Sequence, residues 1–193
     1  MPPIDPCRAA CPDVRILTLP GWQDSGATHW QSRWEALWGD TRVVQSDWNW
    51  PRRGDWMARL DEVIADLAPG PPIALAAHSL GCLLVAAWSQ HTRHRQRVRA
   101  ALLVAPPELE RKDAPLPLGS FRPIPRAALP FRAVVVLSSD DVYCAPPYAR
   151  ELARDWGCEV HDAGPRGHLN GESGLGDWLE GRHLLSTLLT GRE

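Results

Sequence analysis

Ile73 to Trp88 most narrows the folds open to this chain, because an apolar strand-like run passes into an apolar helix-like run through one short polar turn. Ile73-Ala74-Leu75-Ala76-Ala77 has the length and apolarity of a buried strand, and Cys82-Leu83-Leu84-Val85-Ala86-Ala87-Trp88 those of a packed helix. Between them lies Ala77-His78-Ser79-Leu80-Gly81. A serine on such a turn is strained and exposed, with small residues two before and two after it so that strand and helix can pass closely. Ala77 stands where glycine is usual. Ala-x-Ser-x-Gly also arises by chance, so partners elsewhere must decide whether Ser79 is reactive.

The flanking chain alternates between strand and helix. Val14–Leu19 reads as a first strand stopped by Pro20-Gly21, and Trp22–Ala27 has loop character. Thr28 is expected to cap a helix to about Trp38, with Trp30, Trp34 and Trp38 at i, i+4 and i+8 on the face that packs against a sheet. Thr41–Gln45 is a second strand, and Asp55 is expected to cap a helix to about Leu67. Pro69-Gly70-Pro71-Pro72 then breaks the chain ahead of the Ser79 strand. Val98–Val104, Ala133–Leu137 and Glu159–His161 are further strands, with helices over Pro146–Trp156 and from about Trp178 to Leu189. Six strands rich in aliphatic residues, separated by helices, imply one α/β domain over residues 14–193: a mostly parallel sheet with helices on both faces. Residues 1–13 are expected to be a flexible lead-in. Glu108–Pro130 lacks periodicity and carries five prolines, which suggests a flap beside a site.

Composition excludes several functions. A formal charge of −2 gives no reason to expect nucleic acid or an anionic membrane surface as partner. No run approaches the roughly 18 apolar residues of a membrane span, and Met1–Pro6 has no leader-like pattern, so the cytoplasm is the expected compartment. Five cysteines are an odd set and read as free thiols. Cys7-x3-Cys11 lacks a second ligand pair, and His91-x2-His94 lacks a third ligand, so no metal or cofactor is expected. Lys112 is the only lysine, on which any Ser-Lys chemistry would have to rest.

In open α/β sheets, functional groups gather at the carboxyl ends of strands. Ser79, Asp140 or Asp141, and His168 follow such ends in the chain order of α/β hydrolases. The types fit nucleophilic chemistry: a hydroxyl to attack a carbonyl, an imidazole to take its proton, and a carboxylate to orient the imidazole. Asp141 is favoured, with Asp140 capping the turn. The backbone amides of Leu80 and Trp22 are the candidate oxyanion donors. Gly21, His29, His78 and Tyr143 are expected around the substrate, although His78 also suits a structural donor.

These residues carry a resemblance. Leu19-Pro20-Gly21-Trp22, Thr28-His29-Trp30, His78-Ser79-Leu80-Gly81 and Ser138-Ser139-Asp140-Asp141-Val142-Tyr143 resemble motifs of the small serine hydrolases related to retinoblastoma-binding protein 9. The most specific match is Gly167-His168-Leu169-Asn170-x2-Ser173-Gly174-x-Gly176-x-Trp178. The resemblance runs from about Ile16 to Leu189 and implies a compact hydrolase fold without a large cap, with Ser79, Asp141 and His168 as triad. Val142 and Leu179 depart from it, each standing where the family commonly has proline. The L-x-C-x-E peptide that would support binding to a retinoblastoma-type pocket is absent. The expected activity is hydrolysis of a small-molecule carboxylic ester or similar acyl bond through an acyl-Ser79 intermediate. The alternative is a catalytically weak protein-interaction module on a hydrolase scaffold.

Overall fold

Alternating short apolar strands and amphipathic helices bury both faces of one sheet, and a computed structural model of the chain describes this arrangement for residues 3–67 and 70–190. The break expected at Pro69 and the Met1-Pro2 start lie outside those residues. In chain order the elements are α1 (Pro6–Ala10), β1 (Arg15–Leu19), α2 (Trp30–Trp38), β2 (Thr41–Arg42), α3 (Arg53–Asp66) and β3 (Ile73–His78). There follow α4 (Leu80–His91), β4 (Val98–Val104), β5 (Arg132–Leu137), α5 (Pro146–Trp156), β6 (Glu159–Asp162) and α6 (Leu179–Thr190). The strands pair in parallel in the order β2-β1-β3-β4-β5-β6. Strand order therefore reverses between β1 and β3, the point in such sheets where ligands bind. Among the described residues no helix is long and apolar enough to cross a membrane.

Side chains alternate between two cores. Leu17, Leu75, Leu103 and Val135 face α3, α4 and α5, where Trp56, Leu60, Leu84 and Trp156 fill the layer. Ala74, Ala76, Ala100 and Leu102 face α1, α2 and α6. The small alanines leave room on that face for Trp30, Trp34 and Trp178, whose rings pack 4.7 to 6.2 Å apart.

Several boundaries differ from expectation. β2 pairs over two residues only, although Val43 N–H continues toward Thr18 O at 3.0 Å. His29 rather than Thr28 caps α2, its Nδ1 accepting from Gln31 N–H. Arg52 occupies the cap of α3 without a side-chain bond, and Asp55 lies in the first turn, where it complements the helix dipole. The expectation of a flexible lead-in meets a folded segment: Asp5 caps α1 and Cys7 is fully buried. The cause lies on α6, where Arg182, wholly buried, forms ion pairs with Asp5 and Asp40. Its guanidinium also lies 4.7 and 4.4 Å from the Trp34 and Trp38 ring centroids.

The 108–130 segment is fastened at both ends of its course. Arg126 bonds Glu110, Glu151, Asp155 and the Tyr148 hydroxyl, and Trp156 Nε1–H donates to Pro125 O at 2.7 Å. Ser120 links it to α3, donating to Pro51 O and accepting from Arg53 N–H. A short 3-10 turn over Leu116–Phe121 is its regular element, and Phe121 is buried against Trp56.

Candidate active site

Ser79 sits at the end of β3 with φ 53° and ψ −120°, a region that side-chain-bearing residues occupy only when their surroundings force it. The forcing contacts are backbone bonds. Ser79 N–H donates to Val104 O at 2.9 Å, and Cys82 N–H donates to Ser79 O at 2.9 Å as α4 begins. α4 starts at Leu80, two residues ahead of the expected Cys82. Gly81 permits this crossing, since a Cβ there would lie 2.3 Å from Leu19 O at the end of β1.

His168 Nε2 lies 2.9 Å from Ser79 Oγ, and its Nδ1 lies 2.9 and 3.0 Å from the two Asp141 oxygens. The Asp141 side chain is 2% exposed and that of His168 11%. Tyr143 N–H donates to Asp141 Oδ1 at 2.9 Å and orients the carboxylate. Asp140 serves the loop instead: Ser138 Oγ–H and Gly167 N–H both donate to it, and these bonds hold its carboxyl below the usual range. Leu80 N–H is at the first turn of α4, where helical amides lack intrahelical acceptors. It and Trp22 N–H have no protein acceptor among the described hydrogen bonds. Gly21 brings the loop after β1 close, because a Cβ on it would lie 2.8 Å from Ser79 Cβ and 3.3 Å from Leu80 N.

The sequence profile of the serine hydrolase family matches residues 16–187. The chain belongs to that family. Among solved structures, a YdeN-like hydrolase from Pectobacterium atrosepticum is 25% identical, covering 95% of each chain with a TM-score of 0.82. The ydeN gene product of B. subtilis shares the fold at 18% identity, over 92% of this chain and 99% of that one, with a TM-score of 0.69. So does a monoacylglycerol lipase from Paleococcus ferrophilus at 11% identity, over 91% and 94%, with a TM-score of 0.62. A comparison with curated proteins gives no match.

In this serine hydrolase a cavity of about 550 Å³ opens onto Ser79. His29, His78 and Tyr143 help line it, whereas Gly21 does not and instead supplies the close approach to Ser79. Sequence reasoning missed Leu109 and Leu118, which line the cavity from the proline-rich segment. Their signal was weak, because a leucine between prolines has no periodicity to place it on a face. The tryptophan stripe also proves more than packing: Trp30 Nε1–H donates to Leu169 O at 3.0 Å and Trp34 Nε1–H to Asp177 O at 2.8 Å, tying α2 to the His168 loop.

Two further imidazoles lie next to His168. The His78 ring is 4.9 Å from it and 4.6 Å from His29. A carbonyl can only accept, so the 2.9 Å contact to His168 O puts the His78 proton on Nε2. Burial drives the His78 pKa well below its ordinary value, with His29 and His168 adding repulsion. Burial likewise pushes His29 down to about 3, helped by Arg42 and His168. Both rings are therefore neutral when folded, and the unfolded chain takes up their protons first. That stability is complete above about pH 6.5 and is lost progressively as the pH falls below it, for His29 down to about 3. Denaturant titrations should show a loss of up to about 2 kcal/mol per imidazole between pH 7 and pH 5. The double variant His29→Gln, His78→Gln should flatten that slope; a slope equal to wild type would exclude this pair as its source.

Proposed function

We propose that this hydrolase cleaves carboxylic esters or closely similar acyl bonds through an acyl-Ser79 intermediate. The observation that carries the reading is the continuous Ser79-His168-Asp141 hydrogen-bond chain at the floor of an open cavity. Ser79 Oγ attacks the carbonyl carbon while His168 Nε2 takes its proton, and the carbonyl π pair moves to oxygen. The Leu80 and Trp22 amides, aimed at no protein acceptor, receive that oxyanion. Collapse expels the alcohol oxygen, which takes the proton back from His168 and leaves the acyl group on Ser79. A water then repeats both steps, its proton passing through His168 to Ser79 Oγ and the acid departing. Asp141, nearly fully buried, holds the Nδ1–H tautomer and offsets the imidazolium charge.

Every proton and electron pair in this sequence is placed by residues of the chain, so no cofactor enters it. The lipase named among the structural neighbours supports acyl chemistry on this fold. The proposed partner is a small acyl substrate, and cytoplasmic residence is part of the same proposal. A fluorophosphonate probe tests the reading: it should label Ser79, and His168→Ala should suppress labelling. Labelling undiminished in His168→Ala would overturn the proposal and leave the interaction-module reading.

A further inference from the structure

Resting on Ser79 as nucleophile, we infer that the substrate joins a short apolar acyl chain to an uncharged alcohol bearing further hydroxyls. The acyl chain is lodged against Leu109 and Leu118, and the alcohol lies toward Asn170 and Glu172. Direction comes from the proton. His168 Nε2 must return it to the departing oxygen, so the alcohol leaves on the His168 side of Ser79. On that side a second opening of about 580 Å³ shares Val142, Tyr143, His168, Asn170 and Glu172 with the main cavity and adds Pro165, Arg166, Gly167 and Ser173. Its wall is rich in hydrogen-bonding groups. Arg166 and Glu172 bring one charge of each sign, and neither forms an ion pair among the described residues. A lining with balanced donors and acceptors favours hydroxyls over a net charge.

The part of the main cavity that the second opening does not share carries an apolar strip. Trp22, Leu80, Pro107, Leu109, Pro115 and Leu118 form it, beside the polar side chains of Asp24, His29, Glu108, Arg111 and Asp113. Leu109 and Leu118 are 3% and 6% exposed and belong to the same core as Phe121 and Trp56. The 108–130 segment that carries them is fastened through Arg126 to α5 and through Ser120 to α3. This wall is thus a fixed stop rather than a surface that yields to a longer chain. Apolar transfer favours each methylene that enters before the stop, by about fourfold in kcat/KM.

The test is a matrix of methyl and glyceryl esters of acetic, butyric and octanoic acids. Wild type should favour butyryl over acetyl by about fifteenfold, which is two methylenes, with no further gain at octanoyl. Leu118→Trp should bring the butyryl-to-acetyl ratio toward one, and Leu118→Ala should move the optimum to octanoyl. One variant lowers and the other raises the preference for longer over shorter acyl chains, which a folding defect cannot do. Glu172→Ala and Arg166→Ala should lower the glyceryl-to-methyl ratio by about fivefold each, the worth of one lost hydrogen bond, and leave the acyl ratios in place. A flat chain-length series, Leu118 variants that scale all esters alike, or Glu172→Ala acting on the acyl ratio would overturn the inference. Such results with Ser79 still labelled by a fluorophosphonate would sink only the substrate class; loss of that labelling in wild type would sink the nucleophile as well.

Discussion

Ser79→Ala should lower turnover of any acyl ester by a factor on the order of 10⁶, with the fold intact. The size follows from how the three residues act. Among the described residues, Ser79 Oγ is the only hydroxyl within hydrogen-bond reach of His168 Nε2. On the proposed mechanism no acyl-enzyme would form without it, and His168 and Asp141 would have no nucleophile to serve. Residual catalysis over water would come from the Leu80 and Trp22 amides and from binding alone. His168→Ala should cost nearly as much, and the double variant little more than either, because residues acting as a unit are far from additive. The Ser79→Ala variant also retains the backbone bonds to Val104 and Cys82, so circular dichroism and melting should match wild type. Rates that multiply in the double variant would show that the two residues act in separate steps.

The largest effect on stability should come from Arg182→Ala, at about 3–5 kcal/mol. Arg182 is completely buried, and the side chains of Asp5 and Asp40 that it pairs are 7% and 2% exposed. Its removal leaves two carboxylates facing each other away from water, and Trp34 and Trp38 lose the cation against their rings. Against a total stability of about 5–15 kcal/mol such a loss is severe, and it corresponds to a melting point lower by roughly 6–20 °C. Burial already holds the Asp40 carboxyl above its usual range, even with the arginine bonded to it. The deficit of Arg182→Ala relative to wild type should therefore narrow as the pH is lowered and Asp40 takes up a proton. Adding Asp5→Asn and Asp40→Asn should recover part of the loss at neutral pH. A deficit independent of pH would place the effect in lost packing rather than in stranded charge.

The parts of this molecule that were legible in the sequence are those where one local pattern has one physical meaning. Ala133–Leu137 is such a stretch, since a strand buried on both faces reads as an unbroken aliphatic run. Asp141 and His168 could be paired because each follows a strand end, and the family motif around His168 fixes unusual backbone: Gly167, Leu169 and Gly174 all have positive φ. What the sequence concealed depends on distant partners. Asp5 and Cys7 look like a loose polar lead-in until Arg182 is seen, 177 positions from Asp5. His78 suits both a pocket residue and a structural donor in the sequence, and only the fold shows that its proton goes to the His168 backbone. Gly21 reads as a substrate contact, but its lack of a Cβ matters because Ser79 approaches it.

The span between Asp5 and Arg182 has a consequence for the order of events during synthesis. α1 leaves the ribosome ahead of every other described element, carrying an acid whose buried partner is translated 177 positions later. By then β1, β3 and β4 are available to pair, and the turn at Ser79 can form on them. The base that would activate this serine is encoded 89 positions after it. A nascent chain therefore carries Ser79 without its imidazole partner until the loop beyond β6 emerges, and the helix that locks α1 in place arrives directly after His168.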